Sequence, residues 1–116
     1  MTSPWPLLPF HRHWLTEETA GLVAFSAAAR HPEGGFAWLD VDGAPVLDRP
    51  VETWITTRMT HVLALGTLLG IPGCAPLVDH GLNALRGVLA DPEHGGWFTA
   101  SDRPNDGEKR AYELAF

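Results

Sequence analysis

The sequence predicts an all-α fold of helical hairpins in two layers, with short β-hairpins joining the helices, and three observations carry this reading. Pro32-Glu33-Gly34-Gly35-Phe36 and Pro92-Glu93-His94-Gly95-Gly96-Trp97 are two copies of one pattern, their glycine pairs 61 residues apart, which marks a repeated unit. Helices apolar along one stripe alternate with a helix apolar around most of its circumference, as an outer and an inner layer require. The prolines and glycines, 10 and 12 of 116 residues, cluster between the periodic segments rather than inside them.

Element by element, Thr16 offers an N-cap and Glu17 and Glu18 place negative charge in a first turn, so a first helix is expected from there to about Ala29. Pro32 and the Gly34-Gly35 pair end it. Residues 36–39 read as a short strand, Asp42-Gly43 as a two-residue hairpin turn, and residues 44–47 as the return strand. Asp48 and Pro50 announce a second helix, which Gly70 and Pro72 close. Its apolar residues, Trp54, Ile55, Met59, Val62, Leu63, Leu65, Leu68 and Leu69, imply burial on nearly all sides. A third helix over 75–90 carries Val78, Leu82, Leu85 and Leu89 on one stripe opposite His80, Asn83 and Arg86, which are expected to face water. After the second glycine pair a last helix starts at 108–116; with two turns and no C-cap signal it looks cut.

Composition narrows the function classes. Apolar residues at 45% and charged residues at 19% describe a globular chain, and a net charge of -6 without a basic cluster offers nothing to nucleic acid or anionic lipid. Residues 62–69 are too short an apolar run to span a bilayer, and the start of the chain lacks a signal-peptide pattern, so a soluble cytoplasmic protein is expected. Cys74 is the one cysteine, which excludes an internal disulfide or a thiolate metal cage. His11 and His13 flank Arg12 without any metal-ligand spacing, and neither a metal nor a cofactor is expected.

Trp54, Arg58 and His61 fall at i, i+4 and i+7 and share one face of the second helix. A guanidinium among hydrophobes is either a structural ion-pair member or a fork that grips hydroxyl and oxyanion groups beside a stacking indole. His61 reads as a hydrogen-bonded core histidine or a base, and Tyr112 as a core filler or a ligand-facing hydroxyl on the last helix. Asp40 and Asp42, at a hairpin tip, read as solvated turn residues, not as a glycosidase carboxylate pair.

At these positions the chain resembles the N-acylglucosamine 2-epimerase family, most closely its mannose isomerase and related aldose-ketose isomerase members. The resemblance rests on Gly34-Gly35-Phe36, Leu39-Asp40 and Asp42-Gly43, on Thr57-Arg58-Met59-Thr60-His61-Val62 with Ala64-Leu65-Gly66, and on His80-Gly81 and Leu85-Arg86-Gly87. Gly95-Gly96-Trp97-Phe98 and Lys109 with Tyr112, Ala115 and Phe116 continue it to the last residue. It implies an (α/α)6 toroid of which residues 1–116 form the N-terminal part, about a third of the roughly 360 residues that six such units need. It also implies a monosaccharide substrate whose carbon-2 proton moves through an enediol without a metal. Arg58 would bind substrate oxygens or the enediolate, Tyr112 would position the sugar, and Trp54 and His61 would line the same wall. The family's acid and base histidines belong to later helices and map onto no residue here, and Leu114 stands where many relatives carry histidine. Two expectations follow: part of a sugar isomerase or epimerase, inactive alone, or a non-catalytic remnant that binds sugar or self-associates through exposed helix faces.

Overall fold

The computed structural model describes residues 3–102. Within them a single-turn 3-10 segment, Trp5–Leu7, precedes helix α1 (Pro9–Ser26), a two-stranded sheet of β1 (Trp38–Leu39) and β2 (Pro45–Val46), and helices α2 (Thr53–Leu68) and α3 (Cys74–Arg86). The expected helix over 108–116, and Tyr112 with it, lies outside the described residues.

Helix α1 begins seven residues before Thr16. Pro9 occupies the first turn, where its missing N–H costs nothing and its fixed φ already suits a helix. Thr16 is therefore no cap: its hydroxyl donates to the Arg12 carbonyl one turn back, as Thr19 does to Leu15. Only Val23 of this helix is buried, in a core with Ala29, Phe36, Leu63 and Cys74.

The sheet pairs Trp38 with Val46 and Leu39 with Pro45. Its connection is longer than the two residues expected from Asp42-Gly43. The Gly43 N–H bonds the Asp40 carbonyl at 3.1 Å, which puts Val41 and Asp42 at the centre of the turn, and Gly43 follows in the left-handed region at φ +83° as a bulge. The Asp40 carboxylate accepts the N–H groups of Asp42 and Ala44, both at 2.9 Å, and so caps its own turn.

The repeated pattern is a repeated structure. His31 N–H donates to the Gly35 carbonyl and Gly34 N–H to the His31 carbonyl; Asp91 N–H donates to Gly96 and Gly95 N–H to Asp91 in the same way. All four glycines have positive φ. Each turn ends in one isolated bridge, Arg30 with Phe36 and Ala90 with Trp97. Side-chain acceptors differ: His31 Nδ1 accepts the Glu33 N–H, whereas the Asp91 carboxylate accepts from Glu93 and from the extra residue of the second loop, His94.

Helix α2 is not buried on nearly all sides. It buries Thr53, Thr56, Thr57, Thr60, Leu63 and Gly66, a narrow and mainly polar stripe, and leaves Val62, Leu65, Leu68 and Leu69 exposed. The stripe can be buried because its hydroxyls are satisfied: Thr53 donates to Phe98, Thr57 to Trp54 and Thr60 to Thr56, and Thr56 accepts the Phe36 N–H. Its small side chains also admit α3 closely, with Gly81 set directly over Thr60. The end of α2 is a Schellman cap, with Gly70 at φ +77° and the Ile71 N–H on the Gly66 carbonyl. Helix α3 stops at Arg86, short of residue 90, and His80 faces inward rather than to water. Its Nε2 lies 2.8 Å from the Gly35 carbonyl and its ring meets Phe36 edge-on.

Candidate functional site

The first turn of α2 is fixed from outside the helix. The Thr53 N–H, which no intrahelical carbonyl can reach, donates to Thr99, and Val51 and Ser101 exchange a second pair of bonds just before it. Trp54, the second residue of α2, therefore leaves the helix at a defined angle, half-buried. Arg58 follows one turn later, exposed, its guanidinium carbon 5.7 Å from the centre of the Trp54 ring. His61 is half-buried beyond it. The helical period thus brings the three predicted residues to one side of α2, away from the threonine stripe. Leu65 and Leu68 continue the same side, so this face is aromatic and charged at its start and apolar at its end.

Trp38 and Glu52 contact Trp54, and Arg49 rests in turn on Trp38. Trp38 on β1 packs edge-on against it, ring centres 5.6 Å apart at 76°. The Arg49 guanidinium lies 4.2 Å over the Trp38 ring. The Trp54 Nε1–H donates to the Glu52 carboxylate, two residues before it. The hairpin is the reason for this gathering: β1 carries Trp38 toward α2, and the chain leaving β2 brings Arg49 back over it. The signal available in the sequence was the short distance of Glu52 and Arg49 from Trp54, which only the turn geometry turns into contact.

A separate cavity of about 250 Å³ is lined by His31, Glu33, Asp48, Arg49 and Ser101 among others, on the side of the hairpin that holds the first glycine turn. His31 is buried and His80 half-buried, and both make bonds to that turn, which gives them structural roles. Among the described residues no group of three or more His, Cys, Asp or Glu is placed to hold a metal ion. No helix among them is long and apolar enough to cross a membrane.

The family model for N-acylglucosamine 2-epimerase (GlcNAc 2-epimerase) matches residues 34–116, which take in the first glycine pair, the hairpin, α2, α3 and the second glycine turn. The chain belongs to the N-acylglucosamine 2-epimerase family. Within that family it is similar to a D-mannose isomerase of Thermobifida fusca, 56% identical over 97% of this chain, and to a D-mannose isomerase of Pseudomonas cannabina pv. alisalensis, 44% identical over 98%. The chain spans 28% of the length of each of these relatives. Trp54, Arg58, His61 and Tyr112 all fall inside the epimerase-family match, whereas α1 precedes it and lies within the match to the two isomerases.

Proposed function

We propose that this chain is the N-terminal part of an (α/α)6-toroid sugar isomerase or epimerase, and that the Trp54, Arg58 and His61 side of α2 faces its sugar. The observation that carries the reading is the 56% identity to a D-mannose isomerase along 97% of the chain. The two-part face of α2 supports it: the apolar end suits packing against further helices of a ring, and the aromatic and charged end suits a polar ligand with apolar C–H faces.

The chemistry is aldose-ketose interconversion, as in mannose to fructose, or inversion at carbon 2. In either, a proton leaves the carbon next to the carbonyl and negative charge grows on oxygen. Arg58 sits where a guanidinium fork can take that oxygen, with Trp54 beside it as a stacking wall. Tyr112 joins them in positioning the sugar, and His61 lines the same side. The groups that move the proton are assigned to no residue of this chain, and the reaction as proposed uses no cofactor.

The test is incubation of the protein carrying this chain with D-mannose in deuterated water. Ketose formation or deuterium at carbon 2 is expected, and Arg58→Ala should lower kcat/KM by about 100-fold or more. Absence of exchange with mannose and other aldoses sinks the reading; an undiminished rate in Arg58→Ala removes Arg58 from the site. The alternative, a non-catalytic self-associating module, draws on the exposed Leu65, Leu68 and Leu69. It gains if residues 1–116 form stable oligomers and the natural product exchanges no proton.

A further inference from the structure

We propose that Glu52 and Arg49 are positioning residues that clamp the Trp38–Trp54 pair, fixing the plane of the Trp54 indole and with it the approach of Arg58. The proposal rests on the sugar-processing reading for what the wall binds, while the placement of the ring stands on contacts of its own.

Trp54 has one directional tether seen in its side chain, the bond from Nε1–H to the Glu52 carboxylate. Glu52 can serve as an anchor because its own backbone is held: its carbonyl accepts the Thr56 N–H at 3.1 Å, and it forms a bridge with Ala100 of the second repeat. A carboxylate acceptor makes this a charge-assisted bond, stronger than a bond between neutral groups. Trp38 is held differently. Its Nε1–H is buried with no acceptor among the described residues, so its orientation depends on what touches its ring. Those contacts include the nearly perpendicular Trp54 ring and the Arg49 guanidinium over the Trp38 ring. Arg49 lies three residues beyond Val46, the strand partner of Trp38, so the hairpin that presents the indole also supplies the cation that rests on it. Guanidinium, indole, indole and guanidinium therefore run in sequence from Arg49 through Trp38 and Trp54 to Arg58.

For a core-filling indole any neutral acceptor suffices for the N–H; a charged acceptor on one ring and a cation over the other go beyond that need. A wall that must present one face to a ligand needs its plane held, because an indole rotated about χ2 offers an edge instead.

Heteronuclear NMR of the full chain tests the clamp through the indole Nε1–H signals, with Trp54→Phe and Trp38→Phe providing assignment. The Trp54 signal is expected downfield and slow to exchange. Glu52→Ala should move it upfield and speed its exchange about 10-fold or more, and Glu52→Gln, which keeps an acceptor, should restore most of the protection. Arg49→Ala should shift the Trp38 and Trp54 signals together, and Arg49→Lys should shift them less. In the protein carrying this chain, Glu52→Ala should raise KM for D-mannose about 10-fold and lower kcat as well, since the ring it frees both places the sugar and sets the approach of Arg58. A Trp54 signal indifferent to both Glu52→Ala and Arg49→Ala overturns the clamp, even in an active enzyme. Equal loss in Glu52→Gln and Glu52→Ala overturns it too. A wild-type protein that turns over no aldose sinks the sugar-processing reading instead, and the spectra still decide the clamp.

Discussion

Gly35 and Gly95 occupy corresponding turns at nearly the same φ, +73° and +75°, yet a methyl group would meet different surroundings at each. At Gly35 it would stand 2.6 Å from Val51 and 2.8 Å from the Thr56 hydroxyl; at Gly95 nothing lies within 4 Å. Gly95→Ala therefore carries backbone strain alone and should cost about 1–2 kcal/mol, whereas Gly35→Ala adds overpacking and should cost about 2–4 kcal/mol. Urea denaturation of the two variants measures the difference, and equal losses would contradict the packing described here. Residues of this kind are legible in the sequence: the spacing of the glycine pairs marks a repeated unit, the first pair ends a helix, and counting puts Trp54, Arg58 and His61 on one face. The gathering of Trp38, Glu52 and Arg49 around the hairpin is not, because it depends on where a five-residue connection lets the hairpin close. The threonines of α2 were missed for another reason. Hydrophobic periodicity ranks side chains by transfer free energy, and a threonine whose hydroxyl is bonded to a carbonyl one turn back no longer exposes the polar group that the ranking penalises.

Between elements, the α2–α3 contact shows how that hidden stripe works. A Cβ at Gly81 would fall 2.0 Å from the Thr60 hydroxyl and 3.1 Å from its Cβ, so the two helices are as close as their backbones and one threonine permit. Gly81→Ala should destabilise the chain by about 1–3 kcal/mol. Thr60→Ala removes the nearer obstacle and should recover part of that loss in the double variant, a coupling that a thermodynamic cycle reads directly. Strict additivity would show that the helices simply move apart. Helix existence was legible for all three described helices, from the apolar residues of α2 and α3 and, for α1, from Glu17 and Glu18 and the stop at Pro32. Boundaries were less so. Thr16 resembles a cap in every local respect, but Pro9 starts the helix earlier, and a cap residue inside a helix turns its hydroxyl back on the preceding turn. His80 was assigned to water because it opposes the leucine stripe, yet the glycine turn, not a neighbouring helix, covers it.

For the molecule as a whole, the described residues leave much apolar surface in contact with solvent. Leu68 is 84% exposed and Leu69 69%, on a helix whose sequence reads as interior. Surface of this kind promotes association, so residues 1–116 alone should sediment as oligomers at micromolar concentration. Leu65→Glu with Leu68→Glu should shift them toward monomer without loss of helicity. Monomers in both forms would mean that the face is covered in solution. The composition of α2 reads as that of an inner-layer helix, and within residues 3–102 its far side meets solvent. The start of α2 carries a different lesson, about time. Its first N–H finds its carbonyl at Thr99, and Val51, two residues before it, is tied to Ser101, some fifty positions downstream. During translation at roughly 5–20 residues per second, the segment bearing Trp54 must wait seconds for those partners to be made. A nascent chain stalled before the second glycine turn would hold Trp54 on a frayed helical end, so the order of manufacture itself decides when this wall can first take shape.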